Sequence, residues 1–200
     1  MLVLRGLTAV AGFVGVGYAT LPNGLTVLDF AYWSQISALL VALAATAGFV
    51  LAATHRDGGA MPLWLATLRG ATTSWTLVTL VIFATLLSGD YSSPASALEH
   101  LVVPLLGAAE WLWIGPRRRL GWYWPPIWVI VPLLYLPVYV AASAVAGPLY
   151  GFFDPGKPSF ATWFLALLGL FFGLGLLVWL RALPYARARV RTLAGEQPQQ

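Results

Sequence analysis

An all-α, polytopic integral membrane fold with six transmembrane helices is what this sequence predicts, and three observations predict it. Only 9% of its 200 residues are charged, where a soluble domain carries about 25%. Mean hydropathy is +0.80, and the apolar runs approach the roughly 20 residues that a helix needs to cross a bilayer. Those runs are parted by short segments rich in turn-forming residues. A water-soluble enzyme, a nucleic-acid-binding domain and a disordered scaffold are excluded, because the formal charge of +4 is diluted among apolar runs rather than gathered on one solvated face.

The spans are expected from Val3 to Leu21, Phe30 to Ala53, Ala71 to Leu87, Leu98 to Ile114, Pro126 to Ala146 and Phe160 to Leu180. Their separators are Leu21-Pro22-Asn23-Gly24, Asp57-Gly58-Gly59, Gly89 to Pro94, Pro116 to Arg119, Gly147-Pro148 and Asp154-Pro155-Gly156, each a turn signal. The first run reads as an uncleaved helix rather than a signal peptide: it is long enough to span, and no small-x-small cleavage site follows Tyr18. One membrane domain over 1–183 and a basic, then polar, tail over 184–200 complete the organisation.

Basic residues resist translocation, so their distribution orients the spans. In a six-span chain Arg5, Arg56, Arg69, Arg117, Arg118, Arg119, Arg181, Arg187, Arg189 and Arg191 fall on one side and only Lys157 on the other. Both termini are therefore expected in the cytoplasm, in a multi-pass protein of a cell membrane, most simply a bacterial inner membrane. Asp29, Asp90, Glu99 and Asp154 then lie toward the outer face. Trp111, Trp113, Trp122, Tyr123, Trp124 and Trp128 cluster by the cytoplasmic arginines, where amphipathic rings anchor at headgroup level. Small residues at Ala11/Gly15 and Gly169/Gly173 are expected to let helices approach closely.

The chain has no cysteine, which removes disulfides, thiolate zinc sites and a cysteine nucleophile. Its two histidines, His55 and His100, do not supply the ligand pairs of a transmembrane di-haem protein. No metal and no organic cofactor is expected.

Polar side chains inside a bilayer are costly, so chemistry is sought among them. They are Ser34, Gln35 and Ser37 on the second span, Thr72, Thr73 and Ser74 on the third, His100 and Glu110 on the fourth, and Tyr135 and Tyr139 on the fifth. With the orientation above, Ser34 lies about 6 Å and His100 about 3 Å below the outer ends of their helices, at about 1.5 Å per residue. Matching depth lets a hydroxyl and an imidazole from different helices approach. Ser34, Ser37, Ala38, Val41, Ala45 and Gly48 share one small-residue stripe, and His100, Val103, Pro104, Gly107 and Trp111 share another face, with Pro104 able to kink its helix near the histidine. The bland alternatives are a serine bonded to a carbonyl one turn back and a histidine that meets headgroups. Glu110, deeper and nearer the cytoplasmic side, reads as structural and paired with an arginine at the inner boundary, with a proton-relay role as the alternative. Tyr135 and Tyr139, one turn apart, line a lipid pocket or simply fill the core.

The segment Phe30-Ala31-Tyr32-Trp33-Ser34-Gln35-Ile36-Ser37-Ala38-Leu39-Leu40 resembles the second-helix motif F-x-Y-F-T-x-Q-S-N-L-L of a family of small bacterial membrane proteins related to the animal androgen-induced and androgen-dependent TFPI-regulating proteins. His100-Leu101-Val102-Val103-Pro104, Glu110-Trp111-Leu112 and Gly115-Pro116-Arg117-Arg118-Arg119-Leu120 are similar to its H-x-x-V-P, D/E-W-L and G-P-R-x-R-L. Pro132-Leu133-Leu134-Tyr135-Leu136 and Phe152-Phe153-Asp154-Pro155 also fit. The resemblance implies an atypical membrane hydrolase of fatty acid esters of hydroxy fatty acids that uses a threonine nucleophile and a histidine, which fall on Ser34 and His100. This sequence departs from the family at three places. Serine replaces the threonine, Ile36-Ser37-Ala38 replaces Q-S-N with a glutamine one place earlier at Gln35, and no arginine occurs from Val140 to Gly147.

The expected function is thus a lipid ester hydrolase in which His100 is general base to Ser34. Tyr32, Gln35, Ser37, Tyr135 and Tyr139 are candidates to bind substrate, with Tyr32, Gln35, Ser37 or a backbone N–H freed near Pro104 also candidates for the oxyanion, and Asp29 or Glu99 to orient the imidazole. The partners are the bilayer and an acyl lipid, with no nucleic acid. A non-enzymatic lipid-binding or transport protein is the alternative, and a structural subunit of a membrane complex is a third class.

Overall fold

The computed structural model describes residues 1–54 and 61–183. Residues 55–60, with His55 and Arg56, and the basic sequence over 184–200 lie outside the described residues. Among the described residues all regular structure is helical. Six helices are long and apolar enough to cross a membrane: α1 (Leu2–Thr20), α2 (Trp33–Thr54), α3 (Leu63–Leu86), α4 (Pro94–Ile114), α5 (Trp124–Ala146) and α6 (Phe160–Leu180). The protein is a multi-pass membrane protein. α3 is the hub, packed against α2, α4 and α6, while α6 presents most of its length outward.

The spans fall where hydropathy puts them, but four ends move for local reasons. α2 starts at Trp33 rather than Phe30, because Val27–Ala31 form a 3-10 turn capped by Asp29, whose Oδ2 accepts the Thr26 N–H at 2.7 Å. α4 starts at Pro94 rather than Leu98: Ser93 Oγ accepts the Ser96 N–H at 3.1 Å and Pro94 fits a first helical turn. Glu99, expected at the outer surface, is consequently buried inside that helix. α3 starts at Leu63 rather than Ala71, because Arg69 sits in the core with a partner instead of ending the helix. α5 gains two residues at its start and carries a break at Val129.

Within α4, Leu98–Val102 form a π-helical turn. Pro104 explains it. A proline has no N–H for the carbonyl four residues back, and its ring crowds that carbonyl, here that of His100. Widening the turn relieves the clash, and such turns concentrate at functional sites.

Close approach occurs at α1. A Cβ on Gly12 would lie 2.7 Å from Ala42 Cβ and 3.0 Å from the Ala38 carbonyl, and one on Gly15 would lie 3.2 Å from Glu99 Cγ. Gly169 and Gly173, expected to seat a neighbouring helix, meet nothing within 4 Å. They belong to the outward face of α6.

Two tryptophans expected at the headgroups are core residues. Trp111 and Trp128 are 2% and 4% exposed. The Trp111 indole donates to the Val178 carbonyl at 2.8 Å, and the Trp128 carbonyl accepts from Trp75 at 2.9 Å. The Trp111 N–H, bonded to a helix carbonyl, has no need of the interface; Trp128 is held instead through its main-chain carbonyl and by its ring packing over Gly70. Trp113 and Trp122 do project outward, at 78% and 76% exposure.

Glu110 is paired with arginine, as expected, and with two of them. Its Oε1 lies 2.9 Å from Arg69 Nε and Nη2 and 3.3 Å from Arg5 Nε, with all three side chains buried. Arg69 also donates to the Gly115 carbonyl at 3.0 Å, and Arg181 to that of Leu112 at 3.2 Å. This cluster defines the basic end of the bundle.

Candidate functional site

At the opposite end, α2, α3, α4, α5, α6 and the 147–159 loop line a partly open apolar cavity of about 100 Å³. Ser34 and His100 both line it. Matching depth has a visible cause: their chain neighbours are joined, Gln35 Nε2 donating to Glu99 Oε2 at 3.2 Å.

Ser34 is the second residue of α2, half-buried, and its hydroxyl has no protein hydrogen-bond partner among the described residues. Other hydroxyls in the spans bond back to their own helices: Thr8 to Leu4, Thr20 to Val16, Thr46 to Ala42, Ser74 to Ala71 and Thr76 to Thr72. That ordinary arrangement does not apply to Ser34.

His100 stands on the π-turn with its ring stacked on Phe83, centroids 3.8 Å apart. Its Nδ1 lies 3.1 Å from the Ser96 carbonyl oxygen. A carbonyl only accepts, so Nδ1 carries a proton, and in the neutral ring the lone pair is on Nε2. No hydrogen bond joins Ser34 to His100 in this state. The imidazole orienter is the Ser96 carbonyl, not Asp29 or Glu99: Asp29 caps the 3-10 turn, and Glu99 is engaged by Gln35.

Of the five residues expected to bind substrate, Tyr135 lines the cavity, and its hydroxyl donates to the Ala31 carbonyl. The structure does not bring the other four to the cavity wall. Tyr32 packs edge-on against Tyr150 outside it, and Gln35 is turned to Glu99. Ser37 shares a hydrogen bond with Thr79 at 3.0 Å, and Tyr139 donates to the Phe153 carbonyl beneath stacked aromatic rings.

Sequence reasoning missed Tyr150, which closes the cavity from the loop and whose hydroxyl accepts the Trp33 N–H at 2.9 Å. Burial is the main cause that pushes its phenol above the usual tyrosine range, so it stays protonated. An aromatic after Gly147-Pro148 looks like one more interfacial anchor, and nothing local signals its reach to α2. Among the described residues no group of three or more His, Asp or Glu is placed to hold a metal ion.

Fold and cavity together define a multi-pass membrane protein with a small, almost wholly apolar chamber near one end, bordered by a free serine hydroxyl and an oriented imidazole. No protein-family model, no curated protein and no solved structure matches the chain.

Proposed function

We propose that the protein is a membrane-embedded hydrolase of long-chain lipid esters, of the kind represented by fatty acid esters of hydroxy fatty acids, with Ser34 as nucleophile and His100 as general base. The observation that carries this reading is that an unbonded serine hydroxyl and a histidine with its Nε2 lone pair available border one apolar cavity. The motif resemblance at the same two residues supports it.

In the first half-reaction His100 Nε2 takes the Ser34 Oγ proton as the oxygen attacks the ester carbonyl carbon. Collapse of the tetrahedral intermediate breaks the C–O bond, and the leaving alcohol takes the proton from His100. Water then attacks the acyl-enzyme with the same base and releases the acid. The base must lie within about 2.6–3.2 Å of the hydroxyl, a contact that tightens when substrate binds. In this reading the first-turn N–H groups of Ser34 and Gln35, which lack intrahelical acceptors, supply the donors for the oxyanion. A single such donor stabilises the transition state by about 2.7–4 kcal/mol.

On the orientation that the basic residues favour, this end of the bundle faces the outer leaflet, where a long-chain ester reaches the cavity sideways and water arrives from outside. The cavity is smaller than the roughly 300–1,000 Å³ of ordinary ligand pockets. It holds the ester group and the first methylenes, while the remaining chain runs into the bilayer. The missing Ser34–His100 hydrogen bond favours a second reading, a lipid binder in which His100 merely holds a headgroup or carboxylate.

Turnover decides between them. Purified protein in nanodiscs is expected to hydrolyse a long-chain ester, and Ser34→Ala and His100→Ala to lower the rate at least about 100-fold. Equal rates in folded, inserted variants would contradict the hydrolase, and co-purified lipid without turnover would establish the binder.

A further inference from the structure

We infer that Gln35 and Glu99 form a positioning pair that sets the spacing between Ser34 and His100; this rests on the hydrolase reading above. Each member is the chain neighbour of a proposed catalytic residue, Gln35 following Ser34 and Glu99 preceding His100. The two residues are 7% and 3% exposed, and their side chains are joined by the 3.2 Å hydrogen bond from Gln35 Nε2 to Glu99 Oε2. Neither lines the cavity, so neither touches a ligand there.

A buried amide and carboxyl inside a membrane bundle are costly relative to two leucines. The cost is not fully offset locally, because Gln35 Oε1 and Glu99 Oε1 have no hydrogen-bond partner among the described residues. Packing alone does not account for such a pair; directional cross-linking does.

The geometry makes the cross-link a lever. Successive residues on a helix point about 100° apart, so a tie between Gln35 and Glu99 on one face governs the adjacent face, where Ser34 and His100 meet the cavity. Glu99 and His100 both stand on the π-turn, a rare single-turn departure from the α-helix that neighbouring elements must hold in place. Glu99 is tied to α2, His100 is stacked on Phe83 of α3, and Gly15 of α1 leaves room for the Glu99 side chain, with only 3.2 Å between its virtual Cβ and Glu99 Cγ. Three neighbouring helices thus fix one irregular turn.

The test uses the full chain in nanodiscs with Gln35→Leu, Glu99→Leu, Glu99→Gln and the exchange pair Gln35→Glu with Glu99→Gln. Because the chain has no cysteine, spin labels on Leu43→Cys and Leu105→Cys, both on exposed faces, report the distance between α2 and α4. A long-chain fluorophosphonate reports the rate of Ser34 modification. Each leucine variant is expected to broaden and shift the spin-label distance and to slow labelling about 10- to 100-fold, the range that a misplacement near 1 Å produces. Glu99→Gln keeps a bonding partner for Gln35 and is expected to label at close to the parental rate, and the exchange pair to restore both readouts. Leucine variants with parental distance and rate, or an exchange pair that restores neither, would overturn the inference. A parent that resists the fluorophosphonate counts against the hydrolase alone, and the distance measurement still decides whether the pair sets helix spacing.

Discussion

Replacing Glu110 by glutamine removes the single negative charge that holds Arg5 and Arg69 together. All three side chains are at most 5% exposed, and the contacts are 2.9 and 3.3 Å. The native cluster carries one net positive charge and the variant two, within a core that Trp111 and Gly107 help to close. Breaking a buried ion pair from one side costs about 3–5 kcal/mol. At roughly 2–4 °C per kcal/mol for a chain of this size, that lowers the unfolding midpoint by about 6–20 °C. The assay is the fraction of protein that stays monodisperse in detergent after heating. Arg5→Met provides the internal control: it leaves a neutral one-to-one pair and mainly frees the Gly48 carbonyl that Arg5 Nη1 engages, a loss of about 1–3 kcal/mol. A Glu110→Gln midpoint equal to the parent's, or one above that of Arg5→Met, would refute this view of the cluster.

Gly12→Ala forces a methyl against the Ala38 carbonyl and Ala42, so a destabilisation of about 1–3 kcal/mol is expected; Gly169→Ala and Gly173→Ala, with nothing to strike, are expected to leave the same heating assay unchanged. Tyr150 links stability to alkaline pH: burial holds its phenol above the unfolded value, so the unfolded chain ionises first and stability falls as pH rises through about 10. Unfolding midpoints measured between neutral and alkaline pH are expected to lose part of that slope in Tyr150→Phe.

Much of the architecture was legible because membrane solvation constrains it so strongly: six apolar runs give six helices, and the α6 bounds coincide with the expected Phe160 to Leu180. Faces were legible too. Ser37, Ala38, Val41, Ala45 and Gly48 on α2, and Val103, Pro104, Gly107 and Trp111 on α4, are all buried as the helical period requires. What hydropathy could not reveal were the places where a polar side chain finds its partner far along the chain. Arg69 falls outside a third span drawn from hydropathy alone, and only its bond to Glu110 accounts for its place inside the helix; Gln35 reads as an oxyanion candidate, and only its bond to Glu99 shows it held elsewhere. Trp111 misled for the same reason, its indole bonding a carbonyl 67 residues away, and Trp128 because its main-chain carbonyl takes the Trp75 indole N–H from 53 residues away. The π-turn had one advance signal, Pro104, whose effect on the carbonyl four residues back falls on His100 itself.

The central claim is that Ser34 is a nucleophile activated by His100. Intact-mass spectrometry after exposure to a long-chain fluorophosphonate tests it most directly. A single adduct that maps to Ser34 in the parent, and that forms far more slowly in folded His100→Ala, is the predicted result. An unmodified parent, or an adduct whose rate ignores His100, would contradict it.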